Sequence, residues 1–278
     1  MKKRDTAAPA APIRKTEPAR GVLRGALPPG EAGPERYHPS PDLAPFIEHF
    51  WAVRWNLEGL PPRRVETLPH PAVHLTFEPG ATLLGGVGRG KFSRLLAGSS
   101  FVFGVKFLPA SFRAFYGRDV STLTGWTLPA ARVFGPSFPA LEKAVLGAGS
   151  TPERVQLTEA YLRRLRPAPD PEAALVNPLV AAVIHDRSVT RVDQLVARSG
   201  LPVRQLQRLF RRYVGVSPKW VIARYRIHEA LERVHSGLSG DWATLALDLG
   251  YADQAHFIRD FKALVGQTPR AYRAAGRP

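Results

Sequence analysis

The C-terminal third of the chain repeats itself, and few folds accommodate such a repeat. Sliding the sequence along itself carries Arg208 onto Arg259, Phe210 onto Phe261, Val214 onto Val265, Gly215 onto Gly266 and Pro218 onto Pro269 as identities. Leu206 and Phe257, Arg211 and Lys262, and Ser217 and Thr268 are conservative pairs, so each copy ends in Phe-basic-x-x-Val-Gly-x-Ser/Thr-Pro. Ahead of each copy a short stretch of helical pattern closes on a glycine turn, at 192–201 in the first and 243–251 in the second. The unit this predicts is helix, tight turn, helix, present twice.

In a helix-turn-helix the second helix enters the major groove, so it needs one apolar stripe to dock on its domain and one polar stripe to meet DNA. At 100° per residue, Leu206, Leu209, Phe210 and Tyr213 share one arc of the segment 203–214, and Arg204, Gln207, Arg208 and Arg211 the opposite one. Arginine is bidentate to guanine and glutamine to adenine, which is the chemistry base edges ask for. In the second copy Asp253 suits an N-cap, Phe257, Phe261 and Leu264 face inward, and Gln254, Ala255, Ile258, Arg259 and Lys262 are left outward. An outward isoleucine suits a thymine methyl.

Charge points the same way. The chain carries 39 Lys+Arg against 23 Asp+Glu, a formal +16 that favours a polyanionic partner, here double-stranded DNA. From Gln194 through His228 there is no acidic residue, while Arg198, Arg204, Arg208, Arg211, Arg212, Lys219, Arg224 and Arg226 fall inside that window. A charge run is ordinarily a solvated face, but this one coincides with the repeated helix pair. Arg211, Arg212, Lys219 and Lys262 are expected at phosphates, where they supply affinity and salt dependence.

These residues resemble a known family. The stretch 180–275 is similar to the AraC/XylS-type DNA-binding domain of bacterial transcription regulators, above all in the second copy, GYADQAHFIRDFKALVGQTPRAYR at 250–273. The first copy, SGLPVRQLQRLFRRYVGVSP at 199–218, departs where Pro202 replaces the usual capping serine, which predicts an altered helix start within an intact motif. The resemblance implies seven helices, with two helix-turn-helix units joined by a long helix at 216–237. It places base reading on Arg204, Gln207 and Arg208 and on Gln254, Ala255, Ile258 and Arg259. It also implies a cytoplasmic activator or repressor, with RNA polymerase and a second copy of the chain among the partners such a regulator can take.

The expected fold class is α+β, with a β-rich sandwich- or barrel-like domain preceding the all-α tandem reader. Residues 1–36 are rich in Ala, Pro and Arg with no apolar period, and read as a flexible basic tail. Apolar runs at 72–77, 81–84 and 100–108 predict strands within a domain spanning 37–149; the run 43–53 fits a helix or an entering strand. A linker helix capped by Thr151 and the Pro-rich break at 166–171 occupy 150–172, and the reader runs from 173 to 278. LPHPAVHLTFEPG and GVKFLPASFRAFYG, at 68–80 and 104–117, resemble a β-rich domain found upstream of such readers, which implies sensing and a small-molecule effector. Trp51, His70 and His74 are the expected lining of its pocket.

Catalysis is not expected. Without cysteine there is no thiolate chemistry, disulfide or Cys-ligated zinc, and GGVGRG at 85–90 lacks Gly-Lys-Ser/Thr, so it reads as a loop between strands. His49, His70, His74 and Glu78 are the residue types of a cupin-like metal site, and a metal-dependent enzyme fused to a DNA-targeting module is the alternative reading. No His-x-His pair supports it, and no metal or cofactor is expected. Nor is a membrane segment: no stretch near 18 residues is uncharged and apolar, and no secretory signal is visible.

Overall fold

The structure, a computed structural model, describes residues 22–24, 35–236 and 241–275. Most of the expected tail lies outside these residues. Within it, however, Val22–Arg24 forms strand β1, paired with β4 (Arg63–Thr67), and Glu35–Tyr37 forms β2, paired with β3 (Ile47–Leu57). The remaining strands are β5 (His74–Phe77), β6 (Leu83–Gly85), β7 (Phe92–Leu96), β8 (Gly98–Phe107) and β9 (Thr127–Pro129). They build two antiparallel sheets, a six-stranded one in the order β2-β3-β8-β5-β6-β9 and a three-stranded one in the order β1-β4-β7.

Side chains alternate across a strand, and the long β3–β8 pair shows what each face meets. Phe50 and Ala52 of β3, Leu75 and Phe77 of β5, and Phe103, Val105 and Phe107 of β8 point into a core covered by α1 (Arg113–Tyr116), α2 (Ala131–Phe134), α3 (Phe138–Gly147) and α4 (Thr151–Arg164). On the opposite face Trp55, Leu57 and Val102 pack with Leu96 of the small sheet, in a sandwich of two sheets. Helix α4 begins as expected, except that Ser150 is the cap, accepting from the Glu153 N–H, and Thr151 is the first helical residue. The Pro-rich break is real in backbone terms, with Arg166 at φ 50 between α4 and α5.

Seven helices follow among the described residues: α5 (Pro171–His185), α6 (Val192–Ser199), α7 (Val203–Leu209), α8 (Pro218–His235), α9 (Trp242–Asp248), α10 (Gln254–Val265) and α11 (Pro269–Ala275). The α+β class and the order of its two parts are thus as the sequence predicts. Around α8 the helices make two cores. One gathers Leu195, Leu206, Phe210, Tyr213 and Val221, the other Ile227, Leu231, Leu245, Phe257 and Phe261. The β-rich part enters both, contributing Val87 and Ala110 to the first and Leu23 and Leu68 to the second.

Candidate nucleic-acid interface

The second helix of the first repeat copy is α7, continued by one π turn over Phe210–Val214 whose Gly215 N–H donates to the Phe210 carbonyl at 3.0 Å. Leu206, Leu209, Phe210, Tyr213 and Val214 are buried, and Arg204, Gln207, Arg208 and Arg211 are exposed. Pro202 precedes the helix and supplies no side-chain cap, so its start is altered and its amphipathic face intact. Its counterpart in the second copy, α10, is regular α throughout. The Asp253 carboxylate accepts from the His256 N–H at 2.7 Å, a cap of the kind that contributes about 1 kcal/mol. Phe257, Phe261 and Val265 are buried, whereas Ala255, Arg259 and Lys262 are exposed and Gln254 is half-buried. Gly215 and Gly266 close the two helices in the same left-handed conformation, at φ 92 and 89.

The repeat is therefore a structural one. Residues 195–275 match the family model of a helix-turn-helix domain, and residues 35–129 match that of a domain of unknown function, DUF6597. Over 79 residues the chain is 30% identical to the HTH-type transcriptional activator RhaS of Pectobacterium carotovorum subsp. carotovorum (strain PC1), a match covering 28% of this chain and 28% of that protein. The C-terminal region is an AraC-type helix-turn-helix domain. Among solved structures, ToxT from Vibrio cholerae O395 aligns with 81% of this chain and 96% of its own, at 11% identity and a TM-score of 0.40. The xylose-binding transcription activator xylR aligns with 47% of this chain and 40% of its own, at 18% identity and a TM-score of 0.31.

Two residues of the AraC-type domain sit differently from their sequence expectation. Ile258 is half-buried and packs against the core of the second unit, so part of its apolar surface is already covered. Arg212 is drawn inward: it pairs with Glu172 at 3.1 Å and Asp119 at 3.7 Å and stacks on Tyr213. A phosphate contact from Arg212 requires exchanging those partners. Lys219, in the first turn of α8, is exposed.

Of the expected pocket residues, Trp51 of β3 and His74 of β5 lie on the large sheet, and His70, in the loop before β5, meets α8. Trp51 and His74 are in edge-to-face contact at 6.4 Å, and His70 Nδ1 is 2.8 Å from the Tyr225 hydroxyl, with the His228 ring at 5.0 Å. What packs on His70 is thus the connecting helix. Burial, reinforced by the charge of Lys106, holds His74 near 3 and His70 well below the usual histidine range. Lys106 is paired with Glu48 at 2.8 Å, and His49 lies 3.5 Å from the same carboxylate. Burial lowers His49 as well. The indole N–H of Trp51 is buried and has no hydrogen-bond partner among the described residues.

The alternative metal site does not assemble. Glu78 is ion-paired with Arg94, whose guanidinium also lies over Trp55 on the sandwich side. Among the described residues no group of three or more His, Asp or Glu is arranged to hold a metal. Nor, among them, is any helix long and apolar enough to cross a membrane.

The β-rich part meets the helical part, and the helices meet one another, through residues distant in the sequence. The Ala110 N–H donates to Asn177 Oδ1 and Asn177 Nδ2 to Ser111 Oγ, both at 2.9 Å. The Tyr213 hydroxyl is shared by Asp170 and Glu172, each at 2.7 Å. Pairings between residues so far apart in the chain leave no local pattern to read.

Proposed function

We propose that this chain is a sequence-specific DNA-binding transcription regulator that reads two successive major-groove segments with α7 and α10. The observation that carries the reading is the pairing of two repeat-equivalent helices, each buried on one side and bearing on the other an exposed arginine, Arg208 or Arg259. Arg204, Gln207 and Arg208 read bases in one half of the site, and Gln254, Ala255, Ile258 and Arg259 in the other. Arg211, Lys219 and Lys262 meet phosphates. Two units in one chain span neighbouring grooves, about 34 Å apart, without a dimer.

In this reading residues 173–278 are the DNA-binding domain and 37–149 the sensing domain, acting in the cytoplasm. A small-molecule effector acts on the reader through the β-rich part, whose side chains enter both helical cores; RNA polymerase and a second copy of the chain are the further partners of this reading. The test is selection of bound fragments from a random DNA pool by the full chain. The expected result is two short motifs about one helical turn apart. Recovery of fragments with no shared motif, held only by a steep salt dependence, overturns it.

A further inference from the structure

The glycine-rich loop at 85–90 is unused by the reading above, yet it lies at the centre of the contact between the two parts of the chain. Its partner is the 3-10 turn Val120–Leu123 with the residues that follow it. The Gly125 N–H donates to the Val87 carbonyl at 2.9 Å and the Gly86 N–H to the Trp126 carbonyl at 3.0 Å. A Cβ on Gly86 would fall 2.0 Å from the Leu123 carbonyl oxygen, so the approach demands glycine. Loop and turn form one piece.

That piece touches the reader in three places. Thr124 Oγ1 donates to the Gly215 carbonyl at 2.7 Å, at the carboxyl end of the first reading helix. Lys91 Nζ, held by Glu66 at 2.9 Å, reaches the Val265 carbonyl at 3.4 Å, at the carboxyl end of the second. Between them Arg224 of α8, fully buried and stacked on Trp220, donates to the Arg89 carbonyl at 2.9 Å. Val265 corresponds to Val214 in the repeat, one position before Gly215, so the β-rich part grips the corresponding carboxyl ends of the two helices, at carbonyls one repeat position apart.

We infer that this loop and turn are a splint that fixes the separation of the two reading helices, with Thr124 and Lys91 as its positioning residues. The inference rests on the two-segment reading proposed above. An exposed carbonyl end of a helix is electronegative, and a hydroxyl and an ammonium are the donors it accepts. Both contacts lie at the ends away from Arg204, Arg208 and Gln254, so the reading faces stay open to DNA. Helix α8 joins the units along one line, and the splint adds a second connection that fixes their rotation about it. Two linked modules gain most when their spacing matches the target, and lose that gain when the geometry is free.

The experiment measures binding of the full chain, and of its Thr124→Val/Lys91→Gln double variant, to the selected site and to versions with one or two base pairs added or removed between the half-sites. The parent is expected to prefer one spacing by about tenfold or more, and the variant to lose about tenfold at that spacing and bind the series within about threefold. Each half-site alone is expected to bind both proteins alike, and Lys91→Arg to keep the parent profile. An unchanged, sharp profile in the variant overturns the splint and leaves two-segment reading standing. A parent that binds no two-part site overturns that reading itself. Should the double variant not fold, the single change Lys91→Gln, at the protein surface, decides by the same profile.

Discussion

Gly250 and Gly200 each close the first helix of a unit in a left-handed turn, at φ 73 and 67, but their surroundings differ. A Cβ on Gly200 meets nothing within 4 Å, whereas one on Gly250 would sit 2.8 Å from Thr190 Cβ, 3.0 Å from its Oγ1 and 3.1 Å from its Cγ2. Thr190 cannot yield easily. Its N–H donates to Gln194 Oε1 at 2.8 Å, and its carbonyl accepts from Arg226, which also stacks on Tyr251. Gly200→Ala therefore carries only backbone strain, on the order of 1–2 kcal/mol. Gly250→Ala carries that strain plus overpacking, typically 1–3 kcal/mol more. Urea unfolding of the full chain is expected to rank the two by that difference, and Thr190→Ala, which removes Oγ1 and Cγ2 but keeps the Cβ, to recover only part of it in the Gly250→Ala background and none in Gly200→Ala. Equal losses for the two alanines would mean that the units do not meet at Thr190.

Arg208→Ala and Arg259→Ala are each expected to relax preference at one base position in their own half of the site, by about 1–3 kcal/mol of discrimination, in a selection repeated with each variant. Arg211→Ala is expected to weaken all sequences alike and to lower the salt slope by about one; uniform weakening by Arg208→Ala instead makes that arginine a phosphate clamp. A fragment beginning at 168 is expected to be more stable to urea than one beginning at 173, since the shorter piece lacks Asp170, which caps α5 and binds Tyr213. Equal midpoints contradict that role. His49, His70 and His74 are all held below their ordinary value, and His74 to about 3, so the packed state prefers them neutral. Their stabilisation is complete above about pH 6.5 and is lost as pH falls below it; a urea midpoint flat from pH 8 to 5 contradicts this.

The repeat made the helix-turn-helix domain legible because α7 and α10 each have one buried and one exposed face, so their pattern is local. Strands β5 and β8 were legible from the alternation of Leu75 and Phe77 and of Phe101, Phe103 and Val105. The run 43–53 was not, for a physical reason. Leu43, Phe46, Ile47 and Phe50 recur at helical spacing, while both faces of β3 are covered, so Trp51, Val53 and Trp55 add apolar residues where a half-exposed strand shows polar ones. Strands β4 and β7 read RRVET and FSRLL, too polar to stand out, and are held by their pairing and by Arg94 over Trp55. The seam of His70, Tyr225 and His228 joins residues more than 150 positions apart, so the sequence offered only Trp51, His70 and His74 as an expected pocket lining and no sign of α8 against it.

The two repeat-equivalent helices, alike in pattern, differ in how firmly their ends are made. Asp253 caps α10 and regular α hydrogen bonds run to Gly266, so that helix needs little from outside. The first has no cap at Pro202, leaving N–H groups of its first turn to solvent, and ends in a π turn that widens the backbone just before Gly215. Thr124 donates to the Gly215 carbonyl at the short distance of 2.7 Å, whereas the Lys91 contact at the second helix is 3.4 Å long. The tighter grip falls on the helix with the weaker ends. Contact with the β-rich part therefore counts for most in the first unit, where the helix ends supply least of their own stability and tertiary packing has most to supply.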